Sequence, residues 1–246
     1  MNMDVTALQP RLAERSRALD QLLDESEKRW WQQALERLRQ SPDANTAAVL
    51  SSQCKRHLRD QPVPGAAGWN AIELARALLL AHVLGLQHEV ARPALLEQLF
   101  QFGDDQEKAT LLKALDDLDS EGRCLELALL AGRTSNPQVF AALALDTPYA
   151  SRHYPERAFH QLVLKALGMG LDAARVIGLA QRQGQPLNQL ALDLMDEQLA
   201  AGRPVSPSLP RLIAFGLLSP PQREHLAGLF QQQRLPTEWR EHLFSN

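Results

Sequence analysis

Residues 94–132 read ALLEQLFQFGDDQEKATLLKALDDLDSEGRCLELALLAG. Leucine and alanine return at steps of three and four throughout, the period of a helix that buries one face. Gly103 and Gly132 stand where a helix end wants a residue tolerant of positive φ, and Gly202 repeats the arrangement later in the chain. The order is start, helix, stop, repeated.

Working outward, almost no segment alternates at a period of two, so the whole chain reads as all-α with no sheet. Helices are expected over 5–23, 25–40, 43–60, 70–85, 90–102, 105–118, 121–132, 137–146, 155–168, 172–183, 186–201, 206–218 and 221–233. Asn136-Pro137, Ser41-Pro42 and Ser219-Pro220 each place a side-chain acceptor before proline, the signature of an N-cap followed by N1. Thirteen short helices on short turns favour antiparallel pairs stacked side by side, an α-solenoid of the HEAT type, although no exact repeat period is present. QPVPGAAGWN at 61–70 combines two prolines and two glycines and reads as a linker or a long loop. It would separate an N-terminal helical region, 1–60, from a helical-repeat domain, 71–246, unless the two are continuous. The Trp30-Trp31 pair in the first region cannot face one way on a helix, so one ring is expected in the core and the other against a neighbouring element.

Composition narrows the function classes. The 246 residues are 45% hydrophobic, enough to fill a core. A formal charge of -3 with a pI near 6.2 gives no basic footprint, which argues against nucleic-acid binding. Cys54 and Cys124 are far apart with no CxxC, so neither a disulfide framework nor a cysteine metal site is indicated, and a reducing cytoplasm fits. The first residues carry an early acid and no continuous apolar core, unlike a secretory signal. The longest apolar run, Ala77 to Leu86, is broken by His82 and Gly85 and falls short of the roughly 20 residues a membrane span needs.

The most specific polar chemistry lies in RTSNPQVFAALALDTPYASRHYPERAFHQLVLKAL, which begins at Arg133. Two apolar helical patterns meet here through DTPYASRHYP, whose Pro148 and Pro155 fix φ and bias Thr147 and Tyr154 toward extended backbone. On the later helix Ala158, Phe159, Leu162, Val163, Ala166 and Leu167 form the core face, with Arg157, Gln161 and Lys165 in a row beside it. Converging polar groups on stiff helices are what a small-molecule site needs. They are equally what helix capping needs, since Thr, Asn and Asp satisfy orphan N–H groups and Arg satisfies orphan carbonyls. Other catalytic patterns fail: His82 and His88 are six apart, Gly168-Met169-Gly170 has no preceding strand, and Ser51-Ser52 has no acid and histidine in relation to it. No metal or cofactor is expected from these residues.

The elbow, together with RVIGLAQRQGQP and LAAGRPVSPSLPRLI after it, resembles the EboA family of small bacterial proteins associated with metabolite-traffic gene clusters. The family pattern runs through an Arg-Thr-Asn start, a Val-Phe pair, an Asn-Pro-Tyr-Pro turn and a Phe-Asn-Gln helix ending in Leu-Lys-Ala-Leu. Arg133, Thr134, Asn136, Val139, Phe140, Pro148, Tyr149, Phe159, Gln161, Lys165 and the segment 201–207 match it, with Ser135 as an extra residue. Thr147, Ala150 and His160 depart from it. The resemblance covers about 130–215 closely and the N-terminal half only by helical character.

It implies a role in making or moving a secondary metabolite, beside pathway proteins such as a UbiA-type membrane prenyltransferase, a cyclase resembling dehydroquinate synthase and hydrolase-like proteins. Two readings are open. One is a non-catalytic adaptor, cytoplasmic and without direct membrane insertion, that binds a pathway enzyme or a small-molecule intermediate. The other is a metal-independent enzyme acting on an anionic or isoprenoid intermediate through Lys165, Tyr149, Arg133 and Asp146. In either case Arg133, Thr134, Asn136, Asp146, Tyr149, Gln161 and Lys165 are the expected binding residues, with Phe140 and Phe159 as an apolar floor. If a carboxylate meets Lys165, Asp146 is the expected one.

Overall fold

A computed structural model describes residues 10–244. Among them the fold is all-α: fourteen α-helices, a few 3-10 turns, and one isolated antiparallel bridge between Pro62 and Asn70. The chain divides into two compact units, residues 1–143 and 144–246. Residues 5–9 of the first expected helix lie outside the described residues.

Unit 1 contains α1 (Pro10–Leu22), α2 (Glu25–Gln40), α3 (Ala44–His57), α4 (Ala71–Gly85), α5 (Arg92–Phe102), α6 (Asp105–Leu118), α7 (Leu125–Ala131) and most of α8 (Pro137–Ala144). Helix α4 is its hub. Its sequence, AIELARALLLAHVLG, is apolar around most of its circumference, and a helix of that kind must be enclosed on most sides. Helices α1, α2, α3 and α6 all pack on it, and alanines at 71, 75, 77 and 81 let them approach closely. Unit 1 thus gathers four helices around α4, which has little polar surface to leave in water.

The 61–70 stretch is a loop that helps fill this core, not a linker between units. Val63, Ala66 and Trp69 are buried in the same cluster as α4. Gly65 and Gly68 take positive φ, and Val63 N donates to Trp69 O at 3.0 Å to close the turn. Lys113 Nζ lies 4.4 Å from the Trp69 ring centre and Arg15 lies 5.1 Å from it. The Trp30-Trp31 pair divides as its spacing requires: Trp31 is in the core, and Trp30 stacks on His57 of α3 at 4.8 Å.

Caps fix most of the ends. Asp24 and Asp104 form capping boxes with Glu27 and Glu107, and Asn136 and Ser219 cap their helices as expected. Ser41 does not cap α3. It closes α2, and Asp43 accepts from Thr46 N at 2.8 Å instead, since a carboxylate two residues later reaches the first turn directly. Of the three glycines expected at helix ends only Gly202 takes positive φ. Gly103 and Gly132 end their helices at φ -68° and -61°.

Unit 2 contains α9 (Tyr149–His153), α10 (Glu156–Gly168), α11 (Leu179–Arg182), α12 (Gln185–Ala200), α13 (Pro220–Gln231) and α14 (Trp239–Phe244). Its buried side chains include Phe159, Leu162, Val163 and Ala166 of α10, Leu187, Ala191 and Met195 of α12, and the fully buried Trp239. The expected helix over 206–218 is two 3-10 turns, Leu209–Leu212 and Phe215–Leu217. Pro207 and Pro210 interrupt the i→i−4 ladder there, and Asn188 pins the turn between them by exchanging hydrogen bonds with Ala214 N (2.7 Å) and O (3.1 Å).

Candidate functional site

The elbow is more ordered than a turn. Pro148 presets φ and opens a five-residue helix, α9, before Tyr154 extends the backbone into α10. Two arginines of the RVIGLAQRQGQP segment tie it down. Arg182 Nη1 donates to Ser151 O at 3.0 Å and Tyr154 O at 2.8 Å, and its guanidinium lies over the Phe159 ring, 4.6 Å from the centre. Arg175 forms an ion pair with Asp146, whose own N–H donates to Arg175 O at 2.9 Å while the residue sits at φ 58°. Gly178, at φ 78°, passes so close that a Cβ there would fall 2.5 Å from that of Ser151.

The expected site residues divide between the units. In unit 1, Arg133 is exposed, Thr134 Oγ1 accepts from Asn136 N at 3.1 Å, and Asn136 caps α8 while donating to Asp105 at 2.8 Å. In unit 2, Tyr149 is fully buried with its ring 4.7 Å from His153, Gln161 is exposed and Lys165 is half-buried. The carboxylate of Asp146 meets Arg175. Phe140 and Phe159 are both fully buried. His160, one of the departures from the family pattern, is also buried, with Nε2 3.4 Å from Arg182 O. Much of the elbow's polarity is thus committed to caps and ties. Arg175 and Arg182 are absent from the expected set, and the signal for them is a pair of arginines seven apart around a glycine.

A second feature, with no counterpart among the expected sites, is a cleft of about 140 Å³ in unit 1, formed by the ends of α4 and α6, the start of α5 and the loop into α7. Leu12, Ala81, Leu84, Pro93 and Leu96 give it an apolar side, and Glu89, Arg92, Asp117, Asp119, Glu121 and Arg123 a charged one. At the mouth Arg123 bridges Glu89 (2.9 Å) and Glu121 (2.6 Å), and this bonding holds the Glu89 carboxyl below its usual range. Deeper, Arg92 Nε donates to Leu84 O at 3.0 Å, and the buried Asp117 takes the guanidinium of Arg15. Asp119 accepts from Arg123 N at 3.1 Å and Cys124 N at 2.6 Å, which organises the turn into α7. Burial, reinforced by the charge of Asp119, pushes the Cys124 thiol up to about 12, so it stays protonated at neutral pH. The acidic run DDLDSEGR between two helices is the visible trace of this cleft in the sequence.

Capped short helices, an arginine-tied elbow and a small two-signed cleft mark this all-α protein, and the Cys124 thiol at the cleft is held protonated. The chain belongs to the EboA family: the profile described as "Metabolite traffic protein EboA" matches residues 52–214, more than half of its length. The match begins well before the elbow and takes in the cleft except for Leu12 and Arg15. Comparison with curated proteins and with solved structures finds no match. No helix among the described residues is long and apolar enough to cross a membrane.

Proposed function

We propose that this protein is a non-catalytic accessory or adaptor of a secondary-metabolite biosynthesis and traffic pathway, holding a small polar intermediate or docking a pathway enzyme. Family membership supports the pathway. The observation that carries the binding role is the unit 1 cleft. At about 140 Å³ it is smaller than the roughly 300–1,000 Å³ of drug-sized ligand sites and suits a small polar group, with one apolar wall, guanidinium and carboxylate groups at its mouth and a thiol held protonated. Such a lining can orient a polar ligand by hydrogen bonds without changing its bonds. The two buried free thiols support a reducing, cytoplasmic setting. A UbiA-type membrane prenyltransferase is the proposed partner enzyme, on the strength of the resemblance, so any association with a membrane would be indirect.

Native mass spectrometry of protein purified from its own host tests this reading. A co-purifying small molecule lost from an Arg123→Ala, Arg92→Ala variant, or a pathway enzyme in the same complex, is the expected result. A chain that flies alone at its own mass, from a host whose metabolite output is unchanged by its deletion, would overturn it.

A further inference from the structure

Arg76 lies in the middle of hub helix α4 and is only 2% exposed. Burying a guanidinium is costly unless its donors are met. Nε donates to Ser51 O at 3.2 Å, but the nearest carboxylate oxygen, Glu107 Oε1, is 3.9 Å from Nη2, and Nη2 has no hydrogen-bond partner among the described residues. The side chain lines a crevice of about 30 Å³. Ala47, Ala48 and Gly103 leave this space open, and Leu79, Leu99 and Leu111 wall it. Its closeness is set at Gly103, where a Cβ would stand 3.0 Å from Leu99 O and 3.2 Å from Glu107 Cβ.

The geometry points to a binding site for a primary alcohol, the CH₂OH end of a small ligand. A space of this size holds about two water-sized groups, which a methylene and a hydroxyl fill. Arg76 and Glu107 together carry no net charge, so an anion would face Glu107 and an ammonium would face Arg76. A neutral hydroxyl satisfies both, accepting from Nη2 and donating to Glu107 Oε1, which already accepts from Ser51 Oγ at 2.8 Å and keeps a second lone pair. The methylene would rest against the leucines. This inference stands apart from the metabolite-traffic reading, because the probe acts on the purified chain with no pathway present.

The test is NMR titration of the ¹⁵N-labelled full chain, following the Arg76 Nε–Hε resonance. Ethanol is expected to shift it saturably, while acetate and methylammonium at the same concentration leave it in place. Ala48→Leu, which fills the crevice from its half-buried rim, is expected to abolish the ethanol response. Should that variant fail to fold, the selectivity among the three probes in the unaltered chain still decides. A resonance that ethanol does not move, that acetate moves as far, or that responds equally in a folded Ala48→Leu would overturn the proposal. So would a crystal structure grown with ethanol in which only water meets Nη2.

Discussion

Glu27 serves two structures at once. One carboxylate oxygen accepts from Asp24 N at 2.9 Å to complete the capping box of α2, and Arg59 closes on both oxygens with its backbone N–H and its guanidinium, at 2.9 to 3.1 Å. The Arg59 hydrogen bonds, with help from the backbone donors and against the cost of burial, lower its pKa from 4.5 to about 2. A depressed carboxylate stabilises the fold fully above its unfolded pKa and loses that contribution as pH falls toward the folded value. The window is therefore 4.5 down to about 2. Glu27→Gln is expected to cost about 1.5–3 kcal/mol at pH 7 by urea denaturation, the range for hydrogen bonds to a charged group. The deficit should shrink as the measurement is repeated through that window, and one that stays constant would mean that the charge of Glu27 contributes nothing. The cysteines give a complementary prediction. Burial pushes both Cys54 and Cys124 up to about 12, so neither should react with a disulfide reagent at pH 8 in the folded chain, and both should react in denaturant. Rapid native labelling of either thiol would contradict their placement.

At the scale of elements, the helices with their own start and stop signals were legible. Helices α2 and α6 fall on the expected 25–40 and 105–118 because acidic caps and an amphipathic period agree over the whole segment. What was illegible depended on distant partners. The expected helix over 172–183 is a 3-10 turn at 173–175 and a single α turn at 179–182, broken where Gly178 adopts φ 78° to pass Ser151. Helix α9 was hidden because two prolines in ten residues look like a stiff loop, and the arginine that donates to the Ser151 and Tyr154 carbonyls lies 31 and 28 residues further on. Likewise the unit 1 cleft assembles α1, α4, α5, the end of α6 and the loop into α7, which no local pattern brings together. The elbow itself was visible as a concentration of polar residues, but residue types alone could not divide capping from binding. Gly178 offers a direct check on the tie. Gly178→Ala adds left-handed strain of about 1–2 kcal/mol and an overpacking cost of about 1–3 kcal/mol against Ser151. Gly170→Ala, at φ 73° with nothing within 4 Å of the new Cβ, carries the strain alone. Thermal melts of the two variants should therefore separate clearly, and equal losses would mean that the close approach at Ser151 is not what constrains this turn.

For the whole molecule, the division at 143/144 carries a testable consequence about where folding information resides. The core of unit 1 is a single cluster running from Leu12 to Ala114, centred on α4 and including the 61–70 loop that sequence alone could take for a linker. Each class of interaction that fixes it is internal: the capping boxes of α2 and α6, the Glu27–Arg59 bonds, the Trp69 contacts with Lys113 and Arg15, and the Arg15–Asp117 ion pair. A domain with its own hydrophobic core can fold alone. A fragment of residues 1–146, which keeps α8 whole, is expected to show a helical far-UV spectrum and a single cooperative thermal transition. Two fragments cut inside the unit supply the contrast. One ending at residue 60 lacks α4, and one beginning at 71 lacks α1, α2 and α3, three of the four helices that pack on it, so both should be poorly folded. If the 71–246 fragment instead melts cooperatively with the helicity of its share of the chain, α4 needs no N-terminal cover. The hub would then be dispensable, and a self-supporting stack of helices after residue 70 would be the better description.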